Sequence, residues 1–144
     1  MLCIQISAKH LRAPSELNLF SQNLSNSVTI SAPKSTLKPT IGIVLYSNDA
    51  ETVWNAFRLA NLSESKGDTV AIFLLGKGVE ALTLENKEFD IKQKADDFVA
   101  KGGKILACGT CLKLRNSDGG KACNVSTIND LYTIVKSSKI VLTF

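Results

Sequence analysis

The sequence is poor in several features, and each shortage argues against a class of function. Its single histidine is His10, so residues 41–144 contain no histidine for a Ser-His-Asp triad. Its longest apolar run, TVAIFLL at residues 69–75, has the length of one strand and falls short of the roughly 18 to 20 residues of a membrane-spanning helix. The loops SNDAET and GKGVEA lack the glycine pattern or the GK[ST] ending of nucleotide-binding loops. The sequence therefore gives no sign of a triad hydrolase, a membrane span or a nucleotide site.

The larger part of the chain also has little excess charge. The formal net charge is +4, and residues 1–40 contribute +3 of it through four basic side chains and one acid, Glu16. The remaining 104 residues hold 13 basic and 12 acidic side chains, without a cluster of Lys and Arg interleaved with aromatics. Because nucleic-acid-binding faces are built from such clusters, we expect neither a nucleic acid nor a membrane among the partners.

Residues 1–40 differ in texture from the rest of the chain. All three prolines, Pro14, Pro33 and Pro39, lie here among many Ser and Asn residues and a single acid. Such a segment offers little apolar surface to offset the entropy that is lost on folding. We therefore predict a loosely structured N-terminal extension over 1–40 and a folded domain over 41–144. The extension lacks the apolar core of a secretory signal, which favours a cytoplasmic location.

The folded domain alternates short apolar runs with amphipathic segments. This order is typical of an α/β layered sandwich with a mainly parallel sheet. The predicted strands are IGIVLYS at 41–47, TVAIFLL at 69–75, KILAC at 104–108 and KIVLTF at 139–144, and the predicted helices are at 51–65, 89–103 and 126–138. The apolar stripes of the first two helices comprise Val53, Trp54, Ala56, Phe57 and Ala60, and Ile91, Ala95, Phe98 and Val99. GKGVEAL is expected to bend and begin a helical segment, and CGTCLKLRNSDGGKAC at 108–123 is expected to be a long loop.

Two cysteines stand where a parallel sheet places its chemistry. Cys108 is the last residue of a predicted strand, and Cys111 follows two residues later. Ligand sites in such sheets gather outside the carboxyl ends of the strands. The backbone amides after Cys108 and the charges of Lys113 and Arg115 could lower a thiol pKa and stabilise a thiolate. A stabilised thiolate can attack sulfane sulfur and carry it as a persulfide.

The residues alone leave several uses of these thiols open. A structural metal site needs four ligands, and residues 41–144 offer only Cys108, Cys111 and Cys123, so a fourth would come from Cys3, His10 or a partner chain. We assign no metal and no cofactor. A structural disulfide is disfavoured in a reducing compartment. A thioredoxin-like dithiol pair stays open, as does simple packing of small apolar side chains, particularly for Cys123.

The folded domain resembles the DsrE/DsrF-like family of small sulfur-relay proteins. The resemblance rests on IGIVLYSNDAETVWNAFRLA, VAIFLLGKGVEAL, GGKILACGTCLKLRN and CNVSTINDLYTIV, and it covers residues 41–144. It implies a flavodoxin-like sandwich, a homotrimer or homohexamer, and a persulfide on a strand-end cysteine, which is Cys108 here. Many relatives lack a counterpart of Cys111.

The resemblance makes a sulfur carrier or sulfurtransferase the expected function. Cys108 is the expected sulfur acceptor, and Cys111 resolves the persulfide or assists, with Lys113, Arg115 and Cys123 as further assisting residues. The partners would be other copies of the chain and a sulfur donor or acceptor protein. The alternatives are an oligomeric binding protein without catalysis, whose cysteines bind a metal or pack, and a dithiol redox protein that uses Cys108 and Cys111.

Overall fold

A computed structural model describes residues 40–144 of the chain. The loose extension predicted at 1–40 therefore lies outside the described residues, apart from Thr40. Strands and helices alternate along the described residues. The strands are β1 (Ile41–Leu45), β2 (Val70–Leu74), β3 (Lys104–Cys108), β4 (Asn124–Ser126) and β5 (Ile140–Thr143), the α-helices are α1 (Ala50–Ser65), α2 (Ile91–Ala100), α3 (Gly109–Leu114) and α4 (Ile128–Ser137), and a 3₁₀ helix spans Gly76–Thr83.

The five strands form one sheet in the order β4-β3-β2-β1-β5, and every neighbouring pair is parallel. Ile43 of β1 lies beside Ile72 of β2, which lies beside Ile105 of β3. All three side chains are almost wholly buried. Strands that are covered by helices on both faces need such continuous apolar runs. The predicted α/β sandwich with a mainly parallel, flavodoxin-like sheet is confirmed.

The first helix follows its sequence pattern closely. Asp49 accepts a hydrogen bond from the backbone N–H of Thr52 at 2.8 Å and so caps α1. Four residues of the predicted stripe are fully buried, namely Val53, Ala56, Phe57 and Ala60. Trp54 is only partly buried. Its ring packs on Phe89 with 5.4 Å between centroids, and the Arg58 guanidinium lies 4.4 Å from its centroid.

The second helix corrects one residue of its predicted stripe. Ile91, Ala95 and Phe98 of α2 are buried as expected. Val99, however, is 40% exposed. At about 100° per residue, Val99 lies about 80° around the helix from Ile91, whereas Ala95 and Phe98 lie within about 40° of it. The stripe is therefore narrower than the sequence suggested, and Val99 lies at its solvent edge.

The segment at 108–123 also corrects the prediction, because it is not a continuous loop. Gly109–Leu114 of this segment form the short helix α3. The segment ends at Cys123, and β4 begins at the next residue. Beyond β4, α4 begins with a capping box in which Thr127 and Asp130 each bond the other's backbone N–H. The GKGVEAL segment is helical as expected, in 3₁₀ form. These elements build the carboxyl edge of the sheet around the two cysteines.

Candidate thiol site

The sheet holds Cys108 rigidly at the carboxyl end of β3. Cys108 is opposite Ser126 in the parallel pairing of β3 with β4, and β3 pairs with β2 on its other side. Its backbone is extended and serves as the N-cap position of α3. The residue is only 6% exposed. The strand-end position expected from the sequence is thus confirmed, and the Cys108 thiol is held on a fixed backbone with limited access to solvent.

Cys111 lies against Cys108 and against the next loop of the edge. Cys111 is the third residue of α3, and Cys108 is the N-cap residue of this helix. The side chain of an N-cap residue normally lies over the third helical residue. The Cys111 thiol is close enough to the Cys108 side chain for that group to affect its pKa. The backbone N–H of Gly76 donates a hydrogen bond to the Cys111 Sγ at 3.3 Å. Gly76 has a φ of 56°, a conformation that glycine adopts without steric cost.

The pKa of Cys111 is raised above its ordinary value. Burial is the largest cause, and the hydrogen bond with Cys108 adds to it, whereas the Gly76 amide and the Arg115 charge act in the opposite direction. The sequence suggested that nearby amides and cations would lower a thiol pKa here. For Cys111 they do act that way, but burial and the neighbouring thiol outweigh them. Cys111 is therefore a protonated thiol at neutral pH.

Two hydrogen bonds and one ion pair join three segments beside Cys111. Arg115 ends α3, and its Nη1 donates to the Cys111 carbonyl oxygen at 3.3 Å. The Arg115 Nε lies 3.9 Å from Oε1 of Glu80, and Asn48 donates to the other oxygen of Glu80 at 3.0 Å. These contacts tie the loop after β1 to the 3₁₀ helix after β2 and to α3. They limit how far α3 and Cys111 can move relative to the sheet.

A groove of about 710 Å³ opens between α3, β4 and the start of α4. Cys108 lines it together with Leu112, Lys113, Asp118, Val125 and Ile128, among others. Cys111 and Arg115 are not among its lining residues. The two cations predicted to assist the thiols are thus divided between them. Lys113 faces the groove that reaches Cys108, and Arg115 contacts Cys111.

Cys123 belongs to the loop that borders the groove. Its thiol donates a hydrogen bond to the Gly119 carbonyl oxygen at 3.1 Å, and its side chain is half-buried. Burial, with the Asp118 charge as a second cause, raises the pKa of Cys123. Its contacts with the glycine turn give Cys123 a structural part in its own loop. Cys123 is also absent from the residues that line it.

The sequence missed Gly76, Glu80 and Asn48 as members of the site. Asn48 follows β1, and Gly76 and Glu80 follow β2, whereas the two cysteines lie at the end of β3 and in α3. Only their contacts through space reveal them as part of the site. The glycines of GKGVEA were the one available signal.

Within residues 40–144, no three His, Cys, Asp or Glu side chains come together as a metal site. No helix in that range has the length and apolarity to cross a bilayer.

Fold and site together define a small parallel α/β sandwich with a thiol pair at the carboxyl edge of its sheet. The model of the DsrE/DsrF-like family matches residues 40–144. The chain therefore belongs to the DsrE/DsrF-like family, as the resemblance in the sequence indicated.

Relatives with this fold come from archaea and bacteria. The chain is 28% identical over 114 residues to the uncharacterized protein MJ0989 of Methanocaldococcus jannaschii, covering 75% of this chain and 100% of that protein. It is similar to the crystal structure of the YchN protein of Escherichia coli, with a TM-score of 0.65 and 24% identity over 74% of this chain and 99% of the other. It is also similar to BT1422 of Bacteroides thetaiotaomicron, a protein of unknown function, with a TM-score of 0.58 and 17% identity over 76% and 99% of the two chains. The two structural likenesses support the fold.

Proposed function

We propose that the protein is a sulfur carrier or sulfurtransferase that accepts sulfane sulfur as a persulfide on Cys108 and passes it to a partner. Its family suggests a role related to sulfur relay. The observation that carries the proposal is the placement of Cys108. It ends a strand of the sheet, lines an open groove and has a second thiol, Cys111, as its neighbour in α3.

The transfer needs only a thiolate and a donor that holds sulfane sulfur. The Cys108 thiolate attacks the terminal sulfur of a donor persulfide, a new S–S bond forms, and the donor leaves as a thiolate with the electron pair of the broken bond. Delivery to an acceptor thiolate is the same exchange in reverse. Lys113 lines the groove and offers a positive charge to the anionic sulfur species. The low exposure of Cys108 limits its further oxidation, because susceptibility follows exposure.

Substitution of Cys108 tests the assignment directly. Purified chain is exposed briefly to polysulfide at pH 6.5, quenched by alkylation and analysed by peptide mass spectrometry. We expect the wild-type Cys108 peptide to gain the mass of one sulfur atom and the Cys108→Ser variant to gain none. Cys123→Ser is the matched control and should load like the wild type. Sulfur on another residue of Cys108→Ser, at wild-type yield, would contradict the proposal.

A dithiol redox protein is the second candidate, because the positions of Cys108 and Cys111 at the N-cap and third residue of α3 also suit a reversible disulfide. The loading experiment separates the two. A redox protein would form the Cys108–Cys111 disulfide with an oxidant and would carry no added sulfur on Cys108 after brief exposure to polysulfide and alkylation without reductant.

We also propose that the chain acts as a homo-oligomer, in line with the trimer or hexamer that the family resemblance implies. Ile128, Tyr132 and Val135 are spaced along one face of α4 and are 63%, 66% and 44% exposed. The edge strand β5 adds Ile140 and Val141, which are 52% and 38% exposed. An exposed apolar helix face such as that of α4 marks an interaction surface. Because Ile128 also lines the Cys108 groove, a second copy on this face would help to close the groove.

Charges placed on this face should dissociate the oligomer. The two side chains of Ile128 and Tyr132 each bring roughly 1.5 to 3 kcal/mol of apolar burial to an interface, so Ile128→Asp with Tyr132→Asp should weaken association at least 100-fold. Light scattering coupled to size exclusion should then report the 15.5 kDa chain instead of a multiple of it. Leu62→Asp on α1, where Leu62 is 55% exposed, is the control and should keep the wild-type mass. A monomeric wild type would contradict the proposal.

A further inference from the structure

We infer that the loaded protein has a second activity, which is to release its sulfur as hydrosulfide when Cys111 attacks the Cys108 persulfide. This inference rests on the proposed persulfide on Cys108 and adds a reaction to it. The carrier would discharge itself when no acceptor takes the sulfur, and it would then hold a Cys108–Cys111 disulfide.

The contacts of Cys111 place its sulfur for this attack. Cys108 is the N-cap residue of α3 and Cys111 is its third residue, so their side chains are neighbours, and Cys108 contributes to the raised pKa of Cys111 before any sulfur is loaded. The Gly76 N–H holds the Cys111 Sγ from one side, and Arg115 holds the Cys111 carbonyl oxygen. Cys108 is fixed at the end of its strand. Two reacting groups that are held in contact gain a large rate advantage over the same groups free in solution.

The groove decides which sulfur Cys111 reaches. Displacement at sulfur proceeds in line, so the attacking and leaving atoms lie on opposite sides of the sulfur that is attacked. Cys108 lines the groove, and Cys111 does not. A sulfur atom added to Cys108 from the groove therefore extends away from Cys111. Cys111 then faces the Cys108 Sγ from the side opposite to the leaving sulfur.

The reaction balances without an external oxidant. The Cys111 thiolate attacks the Cys108 Sγ, the Sγ–Sγ bond forms, and the bond from Cys108 to the sulfane sulfur breaks. The Cys111 proton passes to the persulfide, and the sulfane sulfur leaves as hydrosulfide with the electron pair of that bond. The sulfane sulfur is reduced to sulfide while the two cysteine thiols are oxidised to a disulfide. A dithiol reductant must reopen this disulfide before the next cycle.

The test follows sulfide release from loaded chains. Wild type, Cys111→Ser and Cys123→Ser are loaded with polysulfide, freed of excess by gel filtration without reductant, and assayed for sulfide and for disulfides. We expect one sulfide per loaded wild-type chain, together with an intrachain Cys108–Cys111 disulfide. Cys111→Ser should keep its persulfide and release sulfide at least 20-fold more slowly. Cys123→Ser should behave like the wild type.

The outcomes separate this inference from the proposal beneath it. If none of the chains accepts sulfur on Cys108, the proposed function fails and the inference fails with it. If all of them load and the wild type holds its persulfide as long as Cys111→Ser, only the inference is overturned. Arrest of release by Cys123→Ser, or a disulfide between chains, would also overturn it, because another thiol would then be the attacking group.

Discussion

Gly78→Ala is expected to lower the unfolding midpoint by roughly 10 to 20 °C, which corresponds to about 2 to 3 kcal/mol in a domain of this size. A Cβ on Gly78 would overlap the carbonyl oxygen of Leu45 and lie 2.7 Å from its carbonyl carbon. Both atoms belong to the backbone at the end of β1, so no side chain can move aside. The 3₁₀ helix must therefore shift away from the sheet.

That shift should also disturb the thiol site. Gly76 and Glu80 lie in the same 3₁₀ helix, and they hold the Cys111 thiol and the Arg115 guanidinium respectively. We expect Gly78→Ala to slow sulfide release from the loaded chain as well as to destabilise it.

The matched control is Gly67→Ala, measured by the same thermal unfolding. Gly67 has a φ of 94°, and a Cβ there meets nothing within 4 Å. Alanine at that position therefore introduces backbone strain of about 1 kcal/mol without a clash. If Gly78→Ala destabilised the chain no more than Gly67→Ala does, the close packing of the 3₁₀ helix on β1 would not be a constraint on the fold.

The sequence predicts this fold well where apolar runs are long enough to show a period. β1, β2, β3 and β5 appear as short apolar segments, and the stripes of α1 and α2 contain their buried apolar residues together with the more exposed Trp54 and Val99. The short elements left no such trace. α3 has six residues and β4 has three, two of them exposed. Their form depends on long-range contacts, such as the pairing of Cys108 with Ser126, that no local pattern records.

The site was predictable in part for the same reason. Topology alone places Cys108 at the carboxyl edge, because every strand of a parallel sheet ends there. The contacts around Cys111 were not predictable, since Gly76 reaches its thiol and Glu80 reaches Arg115 from the segment after β2. The raised pKa of Cys111 shows the consequence. Neighbouring cations can be read from the sequence, but the burial that outweighs them comes only from the packed structure.

The rate of self-discharge is expected to change little between pH 6 and pH 8 and then to fall about tenfold per pH unit above the pKa of Cys111, roughly 100-fold over two units. A persulfide is a stronger acid than a thiol, so the loaded Cys108 is anionic in this range and the proton that hydrosulfide carries away comes from Cys111. Burial and the Cys108 side chain raise the pKa of Cys111, and the Gly76 amide and the Arg115 charge lower it less. Because that pKa lies above the ordinary thiol value of about 8.5, the fall should begin only in alkali. A loaded carrier would thus discharge near neutral pH and keep its sulfur once Cys111 is ionised.

Sulfide release from polysulfide-loaded chains, followed from pH 6 to pH 10, measures this profile. Arg115→Gln is the matched variant, since it removes the nearby positive charge, which Glu80 partly offsets. It should move the fall to higher pH, because the Cys111 thiolate loses a favourable interaction and the thiol keeps its proton at higher pH. Cys123→Ser should leave the profile unchanged. A rate that rises with pH throughout would mean that hydrosulfide leaves without the Cys111 proton, and a fall that begins below pH 8 would mean that the pKa of Cys111 is lowered after all.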